Sequence, residues 1–599
     1  MVRGVFLCQV AIYVIEHYLF FRLPMYLFRR FTKHYKMIIS TFPITSLTNT
    51  NGLHTISRPR WVAKNLLSVK IFATAALLII ALSVITGCND EKSEIDQITE
   101  DLLTNNPLNN IPEITDVRVR AEIDHFCGDC HTTPPPTAIP REGWFAEIEL
   151  GFKLYEKSGR TDLTLPRRSE VVDYYRRHAP ESIPSPPLAT ENDPSPIEFK
   201  PTHHAMVAIP PGQPHRAPPG IANVQWYDQA NTHLLNRSTL MICDMRMGIV
   251  QEAHFEGQEL VFDRHALIPN PSKTTLTDLD HDGVADYLVA DLGSFLPEDH
   301  AKGQVIWLRE SRESNDKFET TVLLDGLGRV TDIQAGDFNQ DGQQDLVVAE
   351  FGWQLSGHIW LLLRTGIENG IPQYKKQLID DRHGVIHIPT ADFNGDGHLD
   401  FAALISQEHE SIELFLNRGD GTFRRQNIFS ADNPAWGSTG IDLHDLDHDG
   451  DLDILFTNGD VFDIFYIVPY QAVHWIENRG DGKWNPHVLR AMPGIHRAVA
   501  ADLDNDGDDD IVCCSLISSE ILKTAGQQSR DSLMWLEQTA TGLFSARSLE
   551  IDNAQHTTVT VGDFDGDGDI DIATGQFADE FVTPRTDVSI WWNNSINQP

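Results

Sequence analysis

Two arrangements of side chains in this 599-residue chain are suited to chemistry. The first occurs once: Cys127-Gly128-Asp129-Cys130-His131. Two thiols at this spacing can add across the two vinyl groups of haem, and the adjacent imidazole then reaches the iron. The second is repeated. Loops beginning at Asp278, Asp337, Asp392, Asp445, Asp502 and Asp563 all read D-x-[DN]-x-D-G-x-x-D. Their candidate metal ligands are Asp278, Asp280, Asp282 and Asp286; Asp337, Asn339, Asp341 and Asp345; Asp392, Asn394, Asp396 and Asp400. The other three loops supply Asp445, Asp447, Asp449 and Asp453; Asp502, Asp504, Asp506 and Asp510; and Asp563, Asp565, Asp567 and Asp571. Oxygens at positions one, three and five of a tight loop converge on one point. A glycine at position six permits the reversal that brings the position-seven carbonyl to the same point. Carboxylates packed this closely repel one another unless a hard cation sits among them. Calcium takes this number of flexible oxygen ligands. An EF-hand would need a bidentate Glu at position twelve, but those positions hold Val289, Val348, Ala403, Phe456, Cys513 and Thr574. The aspartate at position nine is therefore expected to close the site. A merely solvated acidic turn would not keep one spacing through six copies.

The loops recur every 53 to 61 residues, a period that indicates a propeller or solenoid. Each is followed by an apolar β run (DYLVAD, DLVVAE, DFAALI, DILFTN, DIVCCS, DIATGQ) and then by an aromatic strand such as Val305–Leu308, His474–Ile476 or Ile590–Trp592. Four strands per period make one propeller blade. These loops and blades resemble the FG-GAP/VCBS repeats of integrin-like propellers, with Glu350-Phe351-Gly352 and Gln576-Phe577 as remnants of the Phe-Gly element. The resemblance covers residues 199–599. It implies calcium binding by the Asp loops, which would lie between the first two strands of a blade. It speaks to fold far more than to function. Residues 219–270 read as a further blade without a loop, giving seven. The last period ends short of its fourth strand, and Phe199–Ile209 is expected to supply it and hide two sheet edges. His387, His496 and His556 precede loops; they either ring the mouth of a central channel or are repeat-consensus residues that satisfy a blade hydrogen bond. The expected fold is mainly β, a seven-bladed propeller preceded by a small α-helical domain.

In front of the propeller, Val117–Phe126, 142–156 and 168–178 read as helices, so that residues 112–180 resemble a small cytochrome-c-like domain carrying haem c on Cys127, Cys130 and His131. A thioredoxin-like dithiol would need a βαβ setting, and a zinc site a second Cys or His pair at the usual spacing. No Met lies between His131 and Met206, so a second axial ligand would come from His178, His203, His204 or Met206, or the iron is five-coordinate. Residues 181–198 form a Pro-rich linker. Residues 1–88 read as a leader. The apolar run 71–86 follows Lys64 and Lys70 and ends in Ile85-Thr86-Gly87-Cys88, which resembles a bacterial lipobox with Cys88 as the lipidated residue. The run is short for a transmembrane helix. A second apolar stretch, Val5–Phe21, does not fit a signal peptide, and the start is expected further downstream, at Met37 or near Val62.

The chain holds 86 Asp plus Glu against 47 Lys plus Arg, a net charge of −39, which argues against nucleic acid as a partner, since its phosphates need a basic surface. Its seven cysteines do not form a disulfide framework; Cys243, Cys513 and Cys514 sit in apolar strands as buried thiols. There is no Gly-rich phosphate loop and no evident nucleophile–base pair. The expectation is an exported protein of the bacterial envelope, held to the membrane by a lipid only. Its haem would transfer or sense electrons with a redox partner protein, and its propeller would bind an extracellular glycan or protein. The alternatives are a propeller enzyme acting on a carbohydrate, such as a sugar dehydrogenase or polysaccharide lyase, and an adhesion protein.

Overall fold

The computed structural model describes residues 116–184, 197–206 and 217–594, apart from 312–313, 315–316, 463, 481, 526–528 and 580–584. The leader, with the run 71–86 and Cys88, lies outside the described residues, as does most of the Pro-rich linker.

Among the described residues the strands form seven antiparallel sheets, the blades of a propeller. Blade 1 is built from Ile221–Tyr227, Thr239–Asp244, Ile249–Glu256 and Glu259–Leu267. Blades 2 to 6 follow in chain order at 271–327, 330–380, 385–430, 440–491 and 495–551. The sequence sets the place of each strand. In blade 2 the second strand, Asp286–Asp291, is apolar without alternation and wholly buried, because neighbouring blades cover both of its faces. The fourth strand, Phe318–Leu327, alternates between exposed and half-buried positions because it lies at the rim. The residues at position twelve of all six loops are buried in such second strands, where none can ligate an ion.

Blade 7 is made from both ends of the propeller. Its inner strands are His556–Gly562, Asp571–Gln576 and Val588–Asn593, and its outer strand is Phe199–His204. The register runs from Phe199 opposite Asn593 to His204 opposite Val588. Trp592 Nε1 donates to Thr202 Oγ1 at 2.9 Å, and the Met206 N–H donates to Asp587 Oδ2 at 2.9 Å. The expected closure by the segment beginning at Phe199 is therefore what the chain does.

A polar bond crosses each of the seven blade junctions. Tyr227 Oη donates to the Thr274 carbonyl (2.8 Å), Thr275 Oγ1 to Ile333 (2.7 Å) and Thr331 Oγ1 to Val385 (2.7 Å). The Ile441 N–H donates to His387 Nδ1 (3.2 Å), Thr439 Oγ1 to the Ile495 carbonyl (3.0 Å) and His496 Nδ1 to the Thr557 carbonyl (2.8 Å). Thr557 Oγ1, bonded to the Ile221 carbonyl, completes the ring. His387 and His496 thus join blades, while His556 is buried against Glu550 of blade 6. Cys243, Cys513 and Cys514 are buried free thiols.

Three helices precede the propeller: α1 (Asp116–Phe126), α2 (Trp144–Ser158) and α3 (Arg168–His178). Val119, Ile123, Phe126, Trp144, Ile148, Phe152, Val171 and Tyr175 form their shared core, and Ile464 and Tyr466 of blade 5 pack against it. Trp144 stacks on Tyr175 with ring centroids 4.0 Å apart. Trp144 Nε1 donates to the Pro136 carbonyl (3.0 Å) and Tyr175 Oη to that of Pro134 (3.1 Å), which fixes the proline turn just after His131.

The closing strand yields a prediction. A chain starting at residue 217 should melt on the order of 10 °C below one starting at residue 197, because removal of Phe199–His204 bares the edge at Val588–Asn593. Differential scanning calorimetry reads this; equal melting temperatures would mean that the strand is dispensable.

Candidate functional site

The six Asp loops share one backbone conformation. Each connects the first and second strands of a blade. In each, the position-one aspartate accepts from two backbone N–H groups, of positions five and six. For the loop at Asp278 these are Asp282 and Gly283, both at 3.0 Å; for the loop at Asp563 they are Asp567 and Gly568, both at 3.1 Å. Position six is always glycine with φ between 83° and 97°. A Cβ at Gly507 would meet nothing within 4 Å, so backbone conformation rather than crowding selects glycine there. Position four is left-handed as well, even where it is not glycine: His281 has φ 60°, Gln340 58°, His448 58° and Asn505 59°.

The position-nine aspartates join each loop to its blade. Asp453 accepts from the Leu446 N–H (3.1 Å) and the Asn478 N–H (2.7 Å); Asp571 accepts from Phe564 (3.1 Å) and Asn593 (2.8 Å). Asp400 and Asp510 do the same with Phe393 and Asn417, and with Leu503 and Gln538. The second partner in each pair lies at or near the end of the third strand, and its side chain often reaches the preceding blade. Asn417 Nδ2 donates to the Phe338 carbonyl (2.9 Å), Asn593 Nδ2 to that of Leu503 (2.8 Å) and Arg364 Nη1 to that of Leu279 (2.8 Å). Position nine is therefore a structural tie as well as the expected closing ligand.

The loops are suited to a cation on two grounds. Carboxylate oxygens of Asp278, Asp280 and Asp282, of Asp445, Asp447 and Asp453, of Asp502, Asp504 and Asp506, and of Asp563, Asp565 and Asp571 lie within 4.8 Å of one another in each group. The remaining two loops hold Asn339 and Asn394 at position three. Moreover, one oxygen each of Asp280, Asp504 and Asp565, all at position three, is buried without a hydrogen-bond partner. A buried anionic oxygen with no donor is costly, and an ion among the ligands would satisfy it.

The thiols lie at the end of α1. Its helical bonding runs on, with the Cys127 N–H on the Ile123 carbonyl (2.7 Å) and the Gly128 N–H on that of Asp124 (3.1 Å). A Cβ at Gly128 would sit 2.3 Å from the Asp124 oxygen, so only glycine fits directly after Cys127. Both thiols are free. Burial, then Asp124, pushes the Cys127 thiol up to about 11, and burial raises that of Cys130 despite Arg160 Nη1 at 3.3 Å. A nucleophilic redox dithiol needs the opposite shift. His131 Nδ1 donates to the Thr132 carbonyl at 2.8 Å, which orients the ring and leaves Nε2 for a ligand bond. The four expected partners for a second axial position are engaged elsewhere. His178 Nε2 bonds Asp116 (3.0 Å), His203 Nδ1 bonds Ser589 (2.9 Å), His204 Nε2 bonds Thr202 (2.9 Å), and Met206 packs between blades 7 and 1.

The loop electrostatics yield a prediction. Burial, with neighbouring carboxylates adding to it, pushes the position-nine carboxyls up: Asp286, Asp345, Asp400 and Asp453 to about 6, Asp510 to about 7 and Asp571 to about 8. In the ion-free fold they hold protons that the unfolded chain has already lost. Their contribution is thus complete below the unfolded carboxylate range and is lost as pH rises through 6 to 8. In a chelator the urea midpoint should fall between pH 6.5 and 8, above the ordinary range of the buried histidines (about 6.5). Saturating calcium should abolish that fall by stabilising the ionised forms. Parallel profiles with and without calcium would show that these carboxyls hold no ion.

An FG-GAP-like repeat family model matches residues 276–348, 358–456 and 457–513, which include five of the six loops. No curated protein matches the chain. The chain carries FG-GAP-like repeats on a seven-bladed β-propeller.

Proposed function

We propose that this protein is an exported, calcium-stiffened propeller with one covalently attached haem, acting in electron transfer or redox-linked binding at the bacterial envelope. The observation that carries the reading is the state of the thiol site: two free thiols at the end of one helix, beside an imidazole whose Nδ1 is held by a backbone carbonyl. Cys127 and Cys130 would hold haem c by thioether bonds, and His131 Nε2 would bind its iron. When bound, haem supplies a one-electron couple. The chain's own residues prepare the site: α1 sets Cys127 against the helical core, Gly128 lets the backbone turn, and the Thr132 carbonyl fixes the tautomer of His131. The six Asp loops would each take one Ca2+, which lowers the repulsion among their carboxylates and stiffens the blades. The propeller rim would then present a fixed surface to a redox partner protein or to an extracellular glycan or protein. Cys88, as a lipidated residue, would tether the molecule to the membrane.

Expression in a host with haem-attachment machinery tests this. A c-type absorption spectrum should survive denaturing extraction in the parent and vanish in Cys127→Ala/Cys130→Ala. Loss of haem from the parent on extraction would refute covalent attachment. On the same material, metal analysis after gel filtration should find about six calcium ions per chain, and Asp563→Ala should remove one of them.

A further inference from the structure

The loop between the second and third strands of blade 4 is the shortest of its kind among the calcium-loop blades: five residues, Ser406 to Glu410, join Asp400–Ile405 to Ser411–Asn417. It turns tightly, with two non-glycine residues, Gln407 (φ 55°) and Glu410 (φ 40°), in left-handed conformations. Such strain persists only where the surroundings hold it in place. Here they do: the buried Glu410 carboxylate accepts from the N–H groups of Gly437 (3.2 Å) and Ser438 (3.0 Å). Between the two strained residues stand Glu408 and His409. Opposite them, on the turn from blade 3 into blade 4, is His383. Its neighbour Gly384 is pinned on both sides, its N–H on the Phe351 carbonyl (2.9 Å) and its carbonyl on the Ser406 N–H (2.8 Å).

His383 Nε2 bonds Glu408 Oε2 at 3.0 Å, and the His383 and His409 rings meet edge to face with centroids 5.2 Å apart. One ligand atom from each of His383, Glu408 and His409 lies within 4.8 Å of the other two. An ion pair would account for His383 and Glu408 alone. It would not account for His409, whose Nε2 is buried without a hydrogen-bond partner. An imidazole nitrogen in that state loses its hydration and gains nothing in return unless something else binds it.

We infer that His383, Glu408 and His409 form a site for a first-row divalent cation of the zinc type. Two imidazole nitrogens and one carboxylate are a donor set for zinc or its neighbours, not for calcium, which takes oxygens. Tetrahedral ligands at about 2.0 Å from zinc are about 3.3 Å apart, so the donors need to close by no more than about 1.5 Å. Three protein ligands leave a fourth position open. The site lies beside the helical segment, with His131 among the groups near His409 and Glu408 among those near Cys130. The chemistry differs from that of the Asp loops, so excess calcium separates the two classes of site.

The experiment is a zinc titration of the full calcium-saturated protein by calorimetry, with X-ray absorption at the zinc edge on the one-equivalent complex. One equivalent should bind beyond the calcium sites, with two imidazoles in its coordination shell. His383→Ala and His409→Ala should each weaken it by at least about 100-fold. Glu408→Gln, which keeps size and shape, should weaken it too, and covers the case in which an alanine variant fails to fold. Melting temperatures in excess calcium report folding. Zinc binding that survives all three substitutions in folded protein overturns the proposal, as does failure of the folded parent to bind zinc. A change in haem spin state in His409→Ala without any zinc binding overturns it as well, because it makes His409 an iron ligand instead.

Discussion

The carboxylate at position nine of each loop is the contact on which the propeller's regularity rests. Each is buried at the start of a second strand. In four blades one of its oxygens holds the N–H of loop position two, and the other holds an N–H at or near the end of the third strand. It therefore fixes three elements at once: the loop, the strand that follows it and the strand after that. Where the third strand ends in Asn417 or Asn593, the side chain continues the chain of bonds to the loop of the preceding blade. A single residue type, repeated at one spacing, thus couples loop and strands within a blade, and in blades 3, 4 and 7 the residue bonded to it reaches the preceding blade. Hydrogen bonds to an ionised carboxylate are stronger than neutral ones, provided that the charge is kept.

Keeping the charge is the difficulty. Burial and neighbouring carboxylates both favour protonation, most of all at Asp571. Exposed acidic loops alone would let the position-nine group neutralise and weaken its bonds to the backbone. A divalent ion among positions one, three and five reverses this balance, since it favours the ionised form of every carboxylate near it. In the proposed reading, calcium therefore acts on the blade chiefly through Asp286, Asp345, Asp400, Asp453, Asp510 and Asp571. The ion need not touch the third strand to tighten it.

What could be read from the sequence follows from how local each feature is. The Asp spacing within a loop, the glycine at position six and the apolar second strands are set by residues close to one another in sequence, and the structure places them as expected. The short final repeat pointed to closure by the segment at Phe199, because an incomplete blade leaves an open edge. The helices at 116–126, 144–158 and 168–178 fall within two residues of the expected spans. The left-handed conformation at position four escaped notice, although His281, Gln340, His448 and Asn505 alternate there with glycine in the other two loops. So did the tie from the third strand, although Asn417, Asn478 and Asn593 all follow an aliphatic or aromatic strand at the same place. The grouping of His383 with Glu408 and His409 could not be read at all. Those residues are 25 positions apart, on different turns, and nothing local marks one for the other.

That contrast bears on how the molecule is built. Oxygen loops are written into each repeat, so each can form with its own blade. The imidazole cluster and the setting of the thiol site are single features that depend on long-range placement. His383 and His409 meet only because blade 3 hands on to blade 4 at a fixed angle, and the helical core meets the propeller at Ile464 and Tyr466. Their geometry is thus inherited from the ring, which the outer strand of blade 7 closes and the position-nine ties keep in register. Loosening the Asp loops should therefore disturb the nitrogen and sulfur sites even though no loop residue takes part in them. The reverse does not hold: emptying a site on one turn leaves six repeated loops and seven junctions intact. The dependence runs from the repeated oxygen chemistry to the unique chemistry, which is the order expected when a stiff scaffold carries sites that its own repeat does not encode.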